Sequence, residues 1–586
     1  MNQKIKLIPL LLFSSFATQA AKDVKVMQYL HAGPITVNKP ILTDSLNVDG
    51  KPFEAKNLVK STIPFGRALG NAAVINADTA GLITVPTPEK GYALHLYSFY
   101  LNSDRYTKGS LEVSGAGTFE VFVNNKPVGA TSELALEPHR YEVVIKYLTA
   151  DTDTCPSTLT AKFKSEEEAK VIASLDPEKR YTPRDILEGT QFRGTSVSPD
   201  GKYVLVKYYT RMEGGKSEQY AQLRDAATGR ILLQDKGFIL TADWMPTSSK
   251  MYFTRTGMNG KELVTVDPAT MQEEILAENL PEGSFSFTPD EKTLLYTIQE
   301  EGPKDGPDML RILEPNDRLP GFRNRYFIWR YDLQTGLYEQ LTYGHNNTFI
   351  NDVSADSRYL LFSTNEQDYT SLPHSSNSMY KLDLQSMAVD TLWERAKYIN
   401  GATFSPDGKQ LMVFGSGNAF DNIGLNIKEG QISNTYDGQL FLYDPATRKA
   451  KALTKDFNPN VTSAQWNKFD GQIYMLTEDQ DYQRVYTCNP ANGKIRRLDL
   501  PEDVIYNYSL AEAAPVMYYY GQSVSNANRL YSYNTKSKKT QLIYDLSADK
   551  LKDIQFGEVH DWNFTSTDGT IIQGRYYLPP NFDASR

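Results

Sequence analysis

A serine hydrolase of the α/β type needs its nucleophile in Gly-x-Ser-x-Gly on a sharp strand-to-helix turn, followed by an acid and a histidine. No such pentapeptide occurs in the 586 residues. The nearest segments, Gly194-Thr195-Ser196-Val197-Ser198 and Gly521-Gln522-Ser523-Val524-Ser525, fall in repeats that read as strands and turns. His31, His95, His139, His345, His374 and His560 are scattered, with no pair at metal-ligand spacing and no HExxH or CxxC motif. A glycine-rich phosphate loop is also missing. Cys155 and Cys488 lie far apart, so no disulfide framework is expected, and neither has a histidine nearby to make its thiol a nucleophile. Glu300-Glu301 opens a Gly-, Pro- and charge-rich insertion running to Phe322. Its carboxylates could face a substrate amino group, but an exposed loop carrying carboxylates is the favoured reading. These residues assign no catalytic side chain, no metal ligand and no cofactor, and they leave the substrate-binding residues unidentified.

The elements that would carry such groups are more informative, because from about residue 192 the chain repeats itself. One recurring unit is an apolar residue, a small polar one, Pro, Asp and a turn, followed by an apolar strand. It occurs as Val197-Ser198-Pro199-Asp200-Gly201 before Tyr203-Val204-Leu205-Val206, and as Phe404-Ser405-Pro406-Asp407-Gly408 before Leu411-Met412-Val413-Phe414. Variants begin at Trp244, Phe287, Val353 and Trp466, and a degenerate copy at Tyr508. A second unit follows each, an apolar strand ending in Asp or Asn and a turn, as in Phe441-Leu442-Tyr443-Asp444-Pro445. In the first unit Pro presets φ, Asp bonds back to the backbone and Gly accepts positive φ, so each copy reverses a hairpin. Short strands in such units at intervals of roughly 40–65 residues predict β-propeller blades. Seven are expected, with an eighth left open by the spacing.

Upstream, Ala93–Leu101, Thr118–Val123 and Tyr141–Leu148 are short runs with apolar and polar residues interleaved. With turns such as Asn124-Asn125-Lys126-Pro127 between them, they predict an antiparallel β-sandwich. Glu166-Glu167-Glu168 and Asp185-Ile186-Leu187-Glu188 read as a charged, partly helical connector. Lys4 and Lys6, the apolar stretch Leu7–Phe16 and the small residues before Ala20 form a secretory signal pattern, so export to the periplasm or beyond the cell is expected. No stretch is apolar enough for a transmembrane helix. The formal net charge of −9 argues against nucleic acid as a partner, since Lys and Arg are not in excess to displace phosphate counterions.

The segment from Val559 adds a sharper signal: His560-Asp561-Trp562-Asn563-Phe564-Thr565-Ser566-Thr567-Asp568-Gly569-Thr570-Ile571-Ile572-Gln573-Gly574-Arg575-Tyr576-Tyr577-Leu578-Pro579-Pro580-Asn581-Phe582-Asp583. Two alternating runs around Thr567-Asp568-Gly569 predict a hairpin. This stretch resembles the opening of the hydrolase domain in serine peptidases of the prolyl oligopeptidase and dipeptidyl peptidase IV family. In blade three, Leu313–Phe322 and Gln340-Leu341-Thr342-Tyr343-Gly344 look like exported bacterial members of it. The resemblance implies that the propeller roofs an active site and filters oligopeptide substrates by size. It implies that the catalytic Ser, Asp and His belong to a C-terminal hydrolase domain beyond Arg586, so this chain is expected to be inactive alone. A homodimer is compatible with it, and a free-standing periplasmic TolB-like binding propeller is the alternative. The expected all-β organisation is a signal peptide over 1–20, a sandwich over 22–165, a connector over 166–190, a propeller over 191–555, and the truncated start of an α/β-hydrolase domain over 556–586.

Overall fold

The computed structural model describes residues 23–586 except 104, 154–155, 166–170, 177–180, 182, 213–214, 307–308, 310, 581 and 586. The secretory signal, Cys155, the Glu166–Glu168 run and Asn581 therefore lie outside the described residues. The chain divides into two compact units, Met1–Ile186 with Lys552–Glu558 and Leu578–Arg586, and Leu187–Leu551 with Val559–Tyr577.

The first unit is an antiparallel sandwich of a five-stranded and a seven-stranded sheet. Tyr29, Tyr97, Phe99, Leu111, Ile145, Tyr147 and Phe163 fill the space between them. Strict alternation fails in Tyr92–Ser103 and Arg140–Ala150, which are buried on both faces. The outer face of this pair is covered by the segment carrying Leu58, Val59, Phe65 and Leu69, so residues that would otherwise meet water are apolar as well. Val171–Ser174, expected in the connector, instead adds a strand to the larger sheet beside Tyr100–Ser103. Val171 is the reason, because it enters the sandwich core. The helical part of the connector is Pro183–Leu187.

Within this sandwich His31 Nε2 lies 3.0 Å from His95 Nδ1, and His95 Nε2 lies 3.2 Å from Thr149 Oγ1. Gly33, at φ +145°, passes so close that a Cβ there would sit 2.9 Å from His95 Nδ1. Burial lowers both imidazoles, and the neighbouring His31 charge adds to the effect on His95, which is brought down to about 4. An unfolded histidine titrates near 6.5, so the unfolded state binds more protons between these two values. Stability therefore falls as pH is lowered through that window, by about 3 kcal/mol at most. Hydrogen exchange in urea, read on peptides spanning Tyr92–Ser103 at pH 7 and pH 5, should show this loss, and His95→Leu should flatten it.

Among the described residues the second unit holds seven four-stranded antiparallel blades. Their inner strands are Gly189–Val197, Asp243–Trp244, Ser284–Phe287, Thr348–Val353, Ile399–Phe404, Asn460–Trp466 and Val504–Leu510. Each blade follows chain order outward, and blades six and seven share a single parallel bridge, Gln483 to Val504. The Ser-Pro-Asp-Gly turns form as their chemistry requires. Asp200 Oδ1 accepts from Ser198 Oγ at 2.7 Å and Lys202 N at 3.1 Å, with Gly201 at φ +73°. In the variant turns Glu291 and Ser357 occupy the same left-handed conformation, at φ 61° and 60°.

These turns also stitch blade to blade. Asp200 N donates to Ser249 Oγ, Thr247 N to Glu291 Oε1, Asp290 N to Ser357 Oγ, and Asn467 Nδ2 to the Ala511 carbonyl. The ring closes without strand exchange: blade one is built from Gly189–Asp235 and blade seven from Val504–Asp545. Its seam is an apolar cluster of Phe192, Val204, Val206 and Tyr208 against Tyr518, Tyr520 and Leu530. Backbone donors from Glu512 and Ala513 to the Pro199 carbonyl and a bond from Tyr518 Oη to the Ala226 carbonyl complete it.

Candidate functional site: the loop face of the propeller

In a four-stranded antiparallel blade, the links from first to second and third to fourth strand leave one face. Links from second to third strand, and those between blades, leave the other. On this second face the second-to-third links are short in blades one, two, six and seven, but span 301–324 in blade three, 368–374 in blade four and 417–437 in blade five. Loops on a rigid scaffold are where recognition residues concentrate.

The blade-three loop is held by Arg323. Its guanidinium makes two 2.8 Å bonds to Asp317 and a 2.9 Å pair with Asp305, which holds both carboxyls below their usual range. Gly302 lies against the Arg323 carbonyl at a spacing no Cβ could enter. The loop borders an open cavity of about 710 Å³ lined by Glu301, Lys304, Met309, Arg318 and Leu319 among others. Glu301 pairs with Lys304 at 2.6 Å, and Glu300 accepts from Gln340 Nε2 at 3.4 Å, so the two carboxylates expected as candidates are engaged with the surface around them.

Near the start of the blade-five loop Phe420, Asp421 and Asn422 are all left-handed, at φ 50°, 59° and 68°. Each such residue costs roughly 1–2 kcal/mol. Phe420 offsets part of that by packing on Trp393, Phe441 and Tyr443. Beside this turn Ser416 Oγ, Asn418 Oδ1 and Gln439 Oε1 are buried without a hydrogen-bond partner among the described residues. Strained backbone and unsatisfied buried polar atoms of this kind cluster at functional sites.

The Val559–Thr565 and Ile571–Tyr577 strands form the expected hairpin, and it is fastened to the same face at blades six and seven. Arg575 Nη1 lies 3.1 Å from Asp503 Oδ2, and its Nε pairs with Asp481. Its guanidinium also sits 4.4 Å from the centre of the Tyr482 ring, and the Arg484 guanidinium lies 3.6 Å from the same ring. Tyr482 Oη bonds Asp561 at 3.1 Å. Burial alone would lower the Arg575 pKa, but Asp503, Tyr482 and Asp481 reverse that and raise it. Register puts His560, Trp562, Phe564, Ile572 and Tyr576 on the side of the hairpin opposite Asp561 and Arg575. This side is open: Trp562 is 53% and Tyr576 44% exposed.

The remaining sequence candidates do not assemble. Ser196 Oγ donates to Asp243 at 3.4 Å, and Ser523 Oγ donates to Glu502 at 2.7 Å; both serines lie in strands. His560 stacks on Tyr576. Burial pushes the Cys488 thiol up to about 11, which leaves it protonated at neutral pH. Among the described residues no group of three or more His, Cys, Asp or Glu could hold a metal, and no helix is long and apolar enough to cross a membrane. Sequence reasoning missed the Arg575 fastening and the Ser416, Asn418 and Gln439 group. The latter was signalled only by Gly415-Ser416-Gly417-Asn418 ending a strand.

A family model for the SMP-30/gluconolactonase/LRE-like region matches residues 241–531. No curated protein sequence matches the chain. Among solved structures, an acylaminoacyl peptidase from Pyrococcus horikoshii is 14% identical at a TM-score of 0.48, with 68% of this chain and 58% of that one covered. The β-propeller domain of the trilobed protease from Pyrococcus furiosus is 12% identical at 0.41, covering 61% of this chain and 96% of that domain. Dipeptidyl peptidase 4 from Porphyromonas gingivalis is 11% identical at 0.41, covering 67% and 65%. What these peptidases share with the chain is their propeller region. The chain spans somewhat under three fifths of the acylaminoacyl peptidase.

Proposed function

We propose that this chain is the accessory and propeller portion of an exported serine peptidase of the prolyl oligopeptidase and dipeptidyl peptidase IV type, acting on oligopeptides. The carrying observation is the hairpin Val559–Tyr577, with one side locked to the propeller through Arg575 and the other presenting Trp562, Phe564, Ile572 and Tyr576 to a partner surface. An exposed aromatic face of this kind marks an interaction site. The partner proposed is an α/β-hydrolase domain in the same polypeptide, because the hairpin sequence resembles the opening of that domain in the family.

In this reading the long loops of blades three, four and five face the same space as the hairpin and help position substrate. Catalysis belongs to the partner domain, and the ring restricts access to it. Export is supported by the basic, apolar and small residues in order over 1–20.

Treating the protein from its natural source with a fluorophosphonate, followed by peptide mapping, is expected to label one serine outside residues 1–586 of a polypeptide that contains them. A label on a serine within 1–586 would overturn the reading. An unlabelled polypeptide ending with this segment would favour the free-standing binding propeller.

A further inference from the structure

The opposite face of the ring carries a second feature, unrelated to the loops and the hairpin. Between blades six and seven, at the outer rim, lies a cleft of about 640 Å³. It is built from the first turn of blade six with Asp470 and Gln472, its third-to-fourth turn with Asn489, Asn492 and Lys494, and its edge strand with Arg496 and Arg497. Blade seven adds Tyr533, Thr535 and Lys538. A volume of this size holds a small organic ligand.

Its charge is the telling property. Lys494, Arg496, Arg497 and Lys538 face two carboxylates, Asp470 and Asp499, in a chain whose overall charge is −9. None of the four cations makes an ion pair among the described residues, whereas Lys468 on the neighbouring turn pairs with Glu512. Asp470 is already committed, since its Oδ2 accepts from Tyr474 Oη at 2.7 Å and its Oδ1 from Gln472 N at 3.0 Å. Hydroxyls from Thr487, Tyr533 and Thr535 line the same walls. Unpaired cations beside hydroxyl and amide donors are the groups that recognise tetrahedral oxyanions, with arginine supplying a planar fork.

We propose that this cleft is a binding site for a small phosphate- or sulfate-bearing ligand, a phosphorylated or sulfated sugar being the chemical class that suits both the cations and the hydroxyls. The site is independent of the peptidase reading, because it lies on the face away from the loops and draws on none of their residues.

Calorimetric titration of the 586-residue chain tests it with three probes: inorganic pyrophosphate, glucose 1,6-bisphosphate and a sulfated disaccharide. Saturable binding of at least one sugar ester is expected, weakening about tenfold or more in R496A/R497A and several-fold in K538A. Asp499→Asn should tighten it, since the opposing charge is removed. K304A/R318A, on the other face, should leave it unchanged. These cations are exposed, so the variants are expected to retain the wild-type thermal midpoint. Preference for the bisphosphate or for the sulfated disaccharide identifies the source of the anion. Binding of pyrophosphate alone, equal weakening by K304A/R318A, or no saturable binding would overturn the proposal.

Discussion

Arg575→Ala is expected to detach the Val559–Tyr577 hairpin from the propeller while leaving the ring folded. The side chain is 12% exposed and sits among Asp481, Asp503 and Asp561. Truncation leaves three carboxylates close together with no cation between them, and it removes one of the two guanidiniums flanking Tyr482. Breaking a well-buried pair costs more than an exposed one. For this partly buried site a loss of about 2 kcal/mol is expected, which is about thirtyfold in the population of the detached hairpin. A two-stranded hairpin with no packing partner is marginal in water. Limited proteolysis should therefore cut within 559–577 far faster in the variant, with blade peptides unaffected. Arg575→Lys should fall between the two, because it keeps the charge and loses the fork. Unchanged cleavage in Arg575→Ala would show that the hairpin is held by something other than this network.

Tyr518→Ala is expected to open the ring at its seam. Tyr518 is fully buried, burial lifts its phenol to about 12, and its hydroxyl donates to the Ala226 carbonyl at 2.8 Å. Large-to-small changes of this size in a core cost about 3–5 kcal/mol. Here the loss falls where no covalently continuous strand ties blade one to blade seven. Hydrogen exchange should show protection falling first in Gly189–Arg211 and Val516–Asn534, with blades three to five retaining theirs. Tyr518→Phe, which removes only the hydrogen bond, should cost about 1 kcal/mol with the same spatial pattern. Uniform loss across all seven blades would mean that the ring unfolds as one unit and the seam has no special weakness.

The two variants probe different links in the same chain of cause. The seam sets whether the ring exists as a closed object, and Arg575 sets the orientation of an aromatic surface on it. If the hairpin carries the contact with a hydrolase domain, Arg575→Ala in the natural full-length protein should also reduce peptide turnover, whereas the oxyanion cleft on the far face should be untouched.

The repeat was legible in the sequence because each blade needs the same local solution. A reversal in which Pro fixes φ, Asp accepts backbone donors and Gly takes positive φ is chemistry within five residues, and it leaves its trace at Ser198–Lys202 and Ser405–Lys409. Seven inner strands followed from counting those traces. The hairpin at Val559 was legible for the same reason, through Asp568-Gly569 between alternating runs. The doubly covered strand Tyr92–Ser103 was less so, because burial of its outer face depends on a segment some thirty residues upstream folding back across it. Likewise Val171–Ser174 reads as part of a polar stretch until it is seen to extend a sheet.

Composition and local pattern thus determined the class of fold, the repeated blade unit and the aromatic character of the terminal hairpin. Those properties depend on residues near one another in the chain, where turn geometry and strand periodicity act directly. The tertiary structure alone decided that Arg575 meets Asp481 and Asp503, that Ser416, Asn418 and Gln439 are left without partners beside a left-handed turn, and that four cations from two blades line one cleft. Each of these is a juxtaposition across blades or loops, set by how the ring closes. No local rule of spacing fixes which distant side chains a closed ring brings within hydrogen-bonding reach.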